Sequence, residues 1–182
     1  KNATVKNSFN VTNQFVDVFA VDLNPGNYSL KVNVTDKNSN KTGEYTIDLI
    51  ATEFSGIPAL SKIQLGTNIE TKGDKSNFSL KNNVKIYPNA SNTFTVNNPI
   101  MYFYFECYKL TLNDSGNSNY SYNYYISDMN GKRLKKYPAR NKSGKSKTIA
   151  EANGINVIAL QNGSYFLSVE LKDLNTNETS LT

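Results

Sequence analysis

Tyrosines and carboxylates are the residues of this chain best suited to chemistry. Tyr102, Tyr104 and Tyr108 recur at even spacing in one aromatic run, and Tyr120, Tyr122 and Tyr124 do so in the next. On extended backbone, even spacing places side chains on one face. Rings on two neighbouring strands would form a platform able to stack sugar rings or pack a partner chain. The same spacing serves cross-strand aromatic packing inside a sandwich, which is the preferred reading. Among the carboxylates, Asp17, Glu106 and Glu151 are the ones a glycosidase-like pair would draw on, and nothing in the sequence brings two of them together. Asp36-x-Asn38-x-Asn40 and Asp173-x-Asn175-x-Asn177-Glu178 alternate oxygen ligands as the start of a calcium loop does. Neither has the downstream bidentate Glu of an EF-hand, and Asp and Asn favour tight turns without metal.

The chain has no His and one Cys. Ser-His-Asp triads, Cys-His dyads and His-ligated metals are thereby excluded. Cys107 falls on the apolar side of its run and reads as a small buried hydrophobe. No catalytic set, metal site or cofactor site emerges, so the expectation is a non-enzyme. The net charge is +5, with the densest basic stretch between Lys132 and Lys147. An anionic partner such as a polysaccharide, lipid headgroup or nucleic acid is one reading of that stretch. A solvated hairpin and loop is preferred. Asn-x-Ser/Thr triplets at Asn27, Asn33, Asn77, Asn119 and Asn162 matter only in a host that glycosylates.

The elements that would position these residues are strands. The longest run, from Ile100 to Leu110, holds no Gly or Pro. Alternation assigns Met101, Phe103, Phe105 and Cys107 to a core face. It assigns Tyr102, Tyr104, Glu106 and Tyr108 to a face that tolerates water or a partner, as in a central strand of an antiparallel sandwich. Before it, Phe15–Val21, Tyr28–Thr35 and Glu44–Thr52 alternate, with Asn24-Pro25-Gly26-Asn27 and Asp36 to Lys41 as turns. Tyr28, Leu30, Val32 and Val34 face inward, as do Tyr45, Ile47 and Leu49. After it, Tyr120–Ser127 and Arg133–Tyr137 form a hairpin in which Asn130-Gly131 is expected to supply the positive φ angles. Residues 139–147 read as a polar, mobile loop, and Ser164–Leu171 as the last strong strand. No run is long and apolar enough for a membrane helix, and neither membrane insertion nor nucleic acid binding is expected.

Two stretches repeat. Leu23-Asn24-Pro25-Gly26-Asn27-Tyr28-Ser29-Leu30-Lys31-Val32 matches Leu160-Gln161-Asn162-Gly163-Ser164-Tyr165-Phe166-Leu167-Ser168-Val169, and Asp36 to Asn40 matches Asp173 to Asn177. The separation is 137 residues for Gly26 and Gly163, for Tyr28 and Tyr165, and for Asp36 and Asp173 alike. A constant offset over strand, turn and loop indicates two copies of one sandwich unit. The expected fold is therefore all-β, with tandem Ig-like antiparallel β-sandwich units. Residues 1–57 form the C-terminal part of an incomplete first unit, and 58–182 a complete second domain opening after Gly56-Ile57-Pro58. The uncovered apolar face of residues 1–55 calls for a missing N-terminal segment or a protein partner.

From Leu60 onward the chain resembles the bacterial GWxTD-domain proteins. The matching pieces are Ala59 to Leu65, Val84 to Asn89 and Ile100 to Leu110, with the Leu-x-x-Gly-x-Tyr strand and its Asp-led loop also fitting. The GWxTD motif itself is absent, as the chain has no Trp. The resemblance implies Ig-like modules of the cell envelope, outside the cytoplasm, with no established activity. The function expected is structural spacing or protein-partner binding. The alternative is a carbohydrate-binding module using the tyrosine face.

Overall fold

A computed structural model describes residues 21–70 and 84–182. The strand expectation over residues 15–20, Asp17 and Asn77 lie outside them. Among the described residues the protein is all-β, with no helix. The strands are β1 (Gly26–Thr35), β2 (Thr42–Ala51), β3 (Ala59–Leu60), β4 (Gln64–Glu70), β5 (Lys85–Pro88), β6 (Ile100–Tyr108), β7 (Ser118–Ser127), β8 (Arg133–Lys136), β9 (Arg140–Gly144), β10 (Ile149–Asn156), β11 (Phe166–Asp173) and β12 (Thr179–Leu181). They form a two-stranded sheet β1-β2, a sheet ordered β10-β6-β4-β5 with β3 also on β6, and a sheet ordered β12-β11-β7-β8 with β9 also on β7. The pairings β1-β2, β3-β6, β4-β5, β4-β6, β7-β8, β7-β9, β7-β11 and β11-β12 are antiparallel.

The described residues group into two compact units. One holds 64–70, 84–104 and 152–160. Here β4 pairs β5 and the start of β6, and Val157 N–H closes on Pro99 O at 2.9 Å. Gly154 packs closely beside β6, and a Cβ there would lie 3.2 Å from the Tyr102 ring. Asn89 is buried and satisfied locally: its N–H donates to Leu65 O, its amide to Thr93 O, and Ser91 Oγ donates to its Oδ1.

The other unit holds 21–63, 105–151 and 161–182. Its core lies between the end of β6 and the inner face of β7 and β11. Phe105 meets Tyr122 edge-on at 5.4 Å, and Val169 and Leu171 of β11 are fully buried opposite Tyr124 and Tyr122. Large aromatics suit this core, since each removes much area from water at few positions.

The structure alters several expectations. Within residues 139–147, Arg140–Gly144 is not a loop: β9 pairs with β7 from Ser118↔Gly144 to Tyr122↔Arg140. Its side chains are polar because it is an edge strand, and its ladder is satisfied by the β7 backbone. The Asn130-Gly131 turn has positive φ at Gly131 alone (80°), and the Asp128 carboxylate accepts the N–H groups of Asn130 and Lys132 at 2.9 Å each. That side-chain clamp, with a register shift between Ile126 and Ser127, replaces the expected two-residue primed turn. Both faces of β6 are buried at mid-strand: Tyr104 is 2% exposed, and Glu106 is buried too. For Glu106 and Tyr108 the cause is visible. The segment after β2 crosses that face, Phe54 lies 4.7 Å from the Tyr108 ring, and Lys109 Nζ donates to Phe54 O.

Candidate functional site

Each proposed contact tyrosine has a definite place. Tyr104, Tyr120, Tyr122 and Tyr124 are buried, and Tyr102 and Tyr108 are half-buried. The exposed six-ring platform therefore does not form. The even positions of β7 face the sandwich interior, and the rings fill it, as cross-strand packing requires. The odd positions Asn119, Ser121 and Asn123 face outward and are half-buried.

Three of these rings help to build a polar cluster that their spacing alone did not reveal. Glu151 of β10 is buried, and its carboxylate accepts the Tyr120 hydroxyl at 2.7 Å, the Tyr122 hydroxyl at 3.0 Å and Lys142 Nζ at 2.8 Å. Lys142 comes from β9, with its side chain 45% exposed. Next to it Arg140 donates to the Tyr124 hydroxyl at 3.2 Å. Burial, the hydrogen bond to Glu151 and the Glu151 charge all raise the Tyr120 phenol well above its ordinary value. The hydrogen bond to Glu151 raises Lys142 against an opposing desolvation. Tyr120 and Lys142 therefore keep their protons at neutral pH, and the cluster is a satisfied cross-sheet clamp.

Glu106 and Glu151 point to opposite faces of their sheet. Phe105 faces Tyr122, whose hydroxyl reaches Glu151, and alternation turns Glu106 the other way. There Glu106 accepts the Tyr108 hydroxyl, and its own N–H donates to Ser61 Oγ at 2.9 Å. The two cannot flank one bond as glycosidase carboxylates do. Cys107 is fully buried, and burial, with Asp173 adding to it, pushes its thiol up to about 12. It is a packed thiol rather than a nucleophile.

The Asp-led loops are turns. Asp36 Oδ1 accepts Asn38 N–H at 2.8 Å and Oδ2 accepts Ser39 Oγ at 2.7 Å, contacts that hold its carboxyl below the ordinary value. Asp173 is fully buried. Its Oδ1 accepts Asn175 N–H and its Oδ2 accepts Thr111 N–H, both at 2.8 Å. Asn175 Nδ2 then donates to Thr111 O at 2.7 Å and Asn117 O at 2.9 Å, tying the β6–β7 connection to the end of β11.

The basic stretch forms the edge of the sheet. β8 is exposed throughout and β9 nearly so, and their cations lie over tyrosines: Arg133 over Tyr125 at 4.0 Å, Lys135 over Tyr137 at 5.1 Å and Arg140 over Tyr124 at 5.7 Å. Such stacking keeps charge at the rim and discourages edge-to-edge pairing.

The local hydrogen bonds of the repeat recur in three dimensions at the same 137-residue offset. Tyr28 donates its hydroxyl to Asn24 O and Tyr165 donates to Gln161 O, both at 2.8 Å. Gly26 and Gly163 each sit under the Tyr two residues on: an added Cβ would stand 3.5 Å from the Tyr28 ring and 3.7 Å from the Tyr165 ring. Asp36 N–H bonds Lys41 O and Asp173 N–H bonds Glu178 O, both at 2.9 Å. Asn40 and Asn177 both take positive φ, at 51° and 67°. The register agrees as well: Asn33↔Glu44 and Val34↔Gly43 correspond to Glu170↔Leu181 and Leu171↔Ser180.

The burial of the two copies differs. Val169 and Leu171 are fully buried, whereas Val32 is only half-buried and Val34 is 64% exposed. Tyr45 and Ile47 on β2 are exposed beside them. Among the described residues, the face of the β1-β2 hairpin that carries Val34, Tyr45 and Ile47 is thus apolar and exposed.

Comparison with family models, with curated proteins and with solved structures finds no match.

Proposed function

We propose that this chain is a non-catalytic, tandem Ig-like module that spaces domains or binds a protein partner outside the cytoplasm, in a bacterial envelope. One observation carries the reading: the same tyrosine-anchored hairpin occurs twice, at one offset, with one register. A tyrosine whose hydroxyl reaches back to the backbone before its strand is a hallmark of the strand E to strand F corner of Ig-like sandwiches. In that lettering, β12-β11-β7-β8 is G-F-C-C′ and β10-β6-β4 is E-B-A. The β1-β2 hairpin is then the F-G pair of a further unit. In this reading a protein partner completes that unit. Buried carboxylates that accept the protein's own hydroxyl and N–H groups fit a structural role.

Mechanical extension of the chain tests the module. Residues of the β3–β12 sandwich should unfold in one cooperative step, as a load-bearing spacer does; gradual yielding without a step overturns the reading. A glycan array separates it from a carbohydrate-binding module. Reproducible hits weakened by Tyr102→Ala or Tyr108→Ala, the two half-buried rings, would favour the carbohydrate reading.

A further inference from the structure

The β11-β12 hairpin shows what its counterpart lacks. β11 has β12 on one side and β7 on the other, whereas among the described residues β1 pairs with β2 alone. Leu167, Val169 and Leu171 lie against Ile126, Tyr124 and Tyr122 of β7. Asp173 takes Thr111 N–H, and Asn175 gives its amide to Thr111 O and Asn117 O. At the matching positions β1 carries Leu30, Val32, Val34, Asp36 and Asn38, all retained or exchanged for a side chain of the same kind. The hairpin therefore carries the apolar row, the aspartate and the asparagine with which β11-β12 is held. In the Asp36 loop the Oδ2 acceptor that Thr111 N–H satisfies in the other copy takes the Ser39 hydroxyl instead.

We infer that the β1-β2 hairpin docks onto a sandwich body of the β3–β10 kind whose last two strand positions are vacant, and there takes the place that β11-β12 holds in this chain. The inference rests on the tandem-unit reading and names the partner that reading requires. The partner supplies a β7-like aromatic strand along the free edge of β1, and backbone N–H and C=O groups for Asp36 and Asn38. An intact second copy is not that partner. Its body already holds β11-β12, so exchange would bare one hairpin for each one covered and gain no apolar burial.

The full chain can be made to offer the vacancy itself. Val169→Asp with Leu171→Asp drives β11 out of the core. The β1 hairpin, from the same or a neighbouring molecule, should then fill the slot. The N–H groups of Lys31 and Asn33 alternate away from β2, and among the described residues no strand pairs with them in the wild type. In the variant their hydrogen exchange should slow by roughly a hundredfold, as for amides that enter a sheet interior. Adding Val32→Asp should abolish the slowing. The milder pair Leu167→Ala and Val169→Ala, which only loosens β11, should give the same transfer in smaller proportion. If Lys31 and Asn33 stay fast in both backgrounds, whether the chain is folded or unfolded, the inference is overturned. The wild-type amides of Ser168 and Glu170, which face β7, test the underlying reading separately. Fast exchange there would remove the sandwich slot, whereas slow exchange there with no transfer would remove only the docking.

Discussion

Replacing Glu151 by Ala removes the one acceptor shared by Tyr120, Tyr122 and Lys142. The two tyrosyl hydroxyls stay buried and lose their partner, at about 1–3 kcal/mol each. Lys142 contributes little, because its side chain is 45% exposed and screened by water, so its share is about 0.5 kcal/mol. The loss of stability should total about 3–5 kcal/mol, the range found when one side of a buried charged network is deleted. In urea, with a slope of about 2 kcal/mol per M, the midpoint should fall by roughly 1.5–2.5 M at unchanged slope. Glu151→Gln keeps one good acceptor and should lose about 2 kcal/mol. Replacing the group together, Glu151→Leu with Tyr120→Phe and Tyr122→Phe, should restore much of the loss, because no buried polar atom is then stranded. Equilibrium unfolding followed by tyrosine fluorescence measures all three. A loss below about 1 kcal/mol for Glu151→Ala would refute the view that this carboxylate clamps the sheets.

Three further outcomes are expected. Asp173→Ala should cost about 3 kcal/mol by stranding the N–H groups of Thr111 and Asn175, whereas Asp36→Ala at the matching exposed position should leave the urea midpoint unchanged; equal effects would contradict the difference in burial. Phe105→Ala and Tyr104→Ala should each cost about 3–5 kcal/mol in the same assay, because both side chains are fully buried; a near-neutral Tyr104→Ala would place that ring outside the core. Stability should decline above pH 9, the ordinary value of the Cys107 thiol: up to about 12 the folded thiol keeps its proton while the unfolded one releases it, so the unfolded state binds fewer protons and stability falls by about 1.4 kcal/mol per pH unit. Tyr120 and Tyr108, raised in the same direction, add to the decline from pH 10 upward, so Cys107→Val should flatten only the first part, and the native thiol should resist a disulfide reagent at pH 8.

The sequence by itself determined the strand periodicity, the all-β class and the repeat. Alternation in Tyr28–Val34 and in Met101–Cys107 follows from backbone geometry alone, and the Gly-x-Tyr corner and Asp-x-Asn turn close through bonds within a few residues. Features of such short range are visible in a linear pattern. What lay beyond it were contacts between residues distant in the chain. Alternation separates Tyr104 from Phe105, yet whether the second face meets water depends on what crosses it, and for the neighbouring Glu106 and Tyr108 that is Phe54, far away in sequence. The polar run 140–144 reads as loop because its side chains are hydrophilic, but an edge strand needs only the β7 backbone beside it. Glu151 looked solitary because its partners sit on two other strands. Val32 and Val169 share a local pattern and differ in burial, since the sequence specifies which face is apolar and only tertiary assembly supplies the surface that covers it.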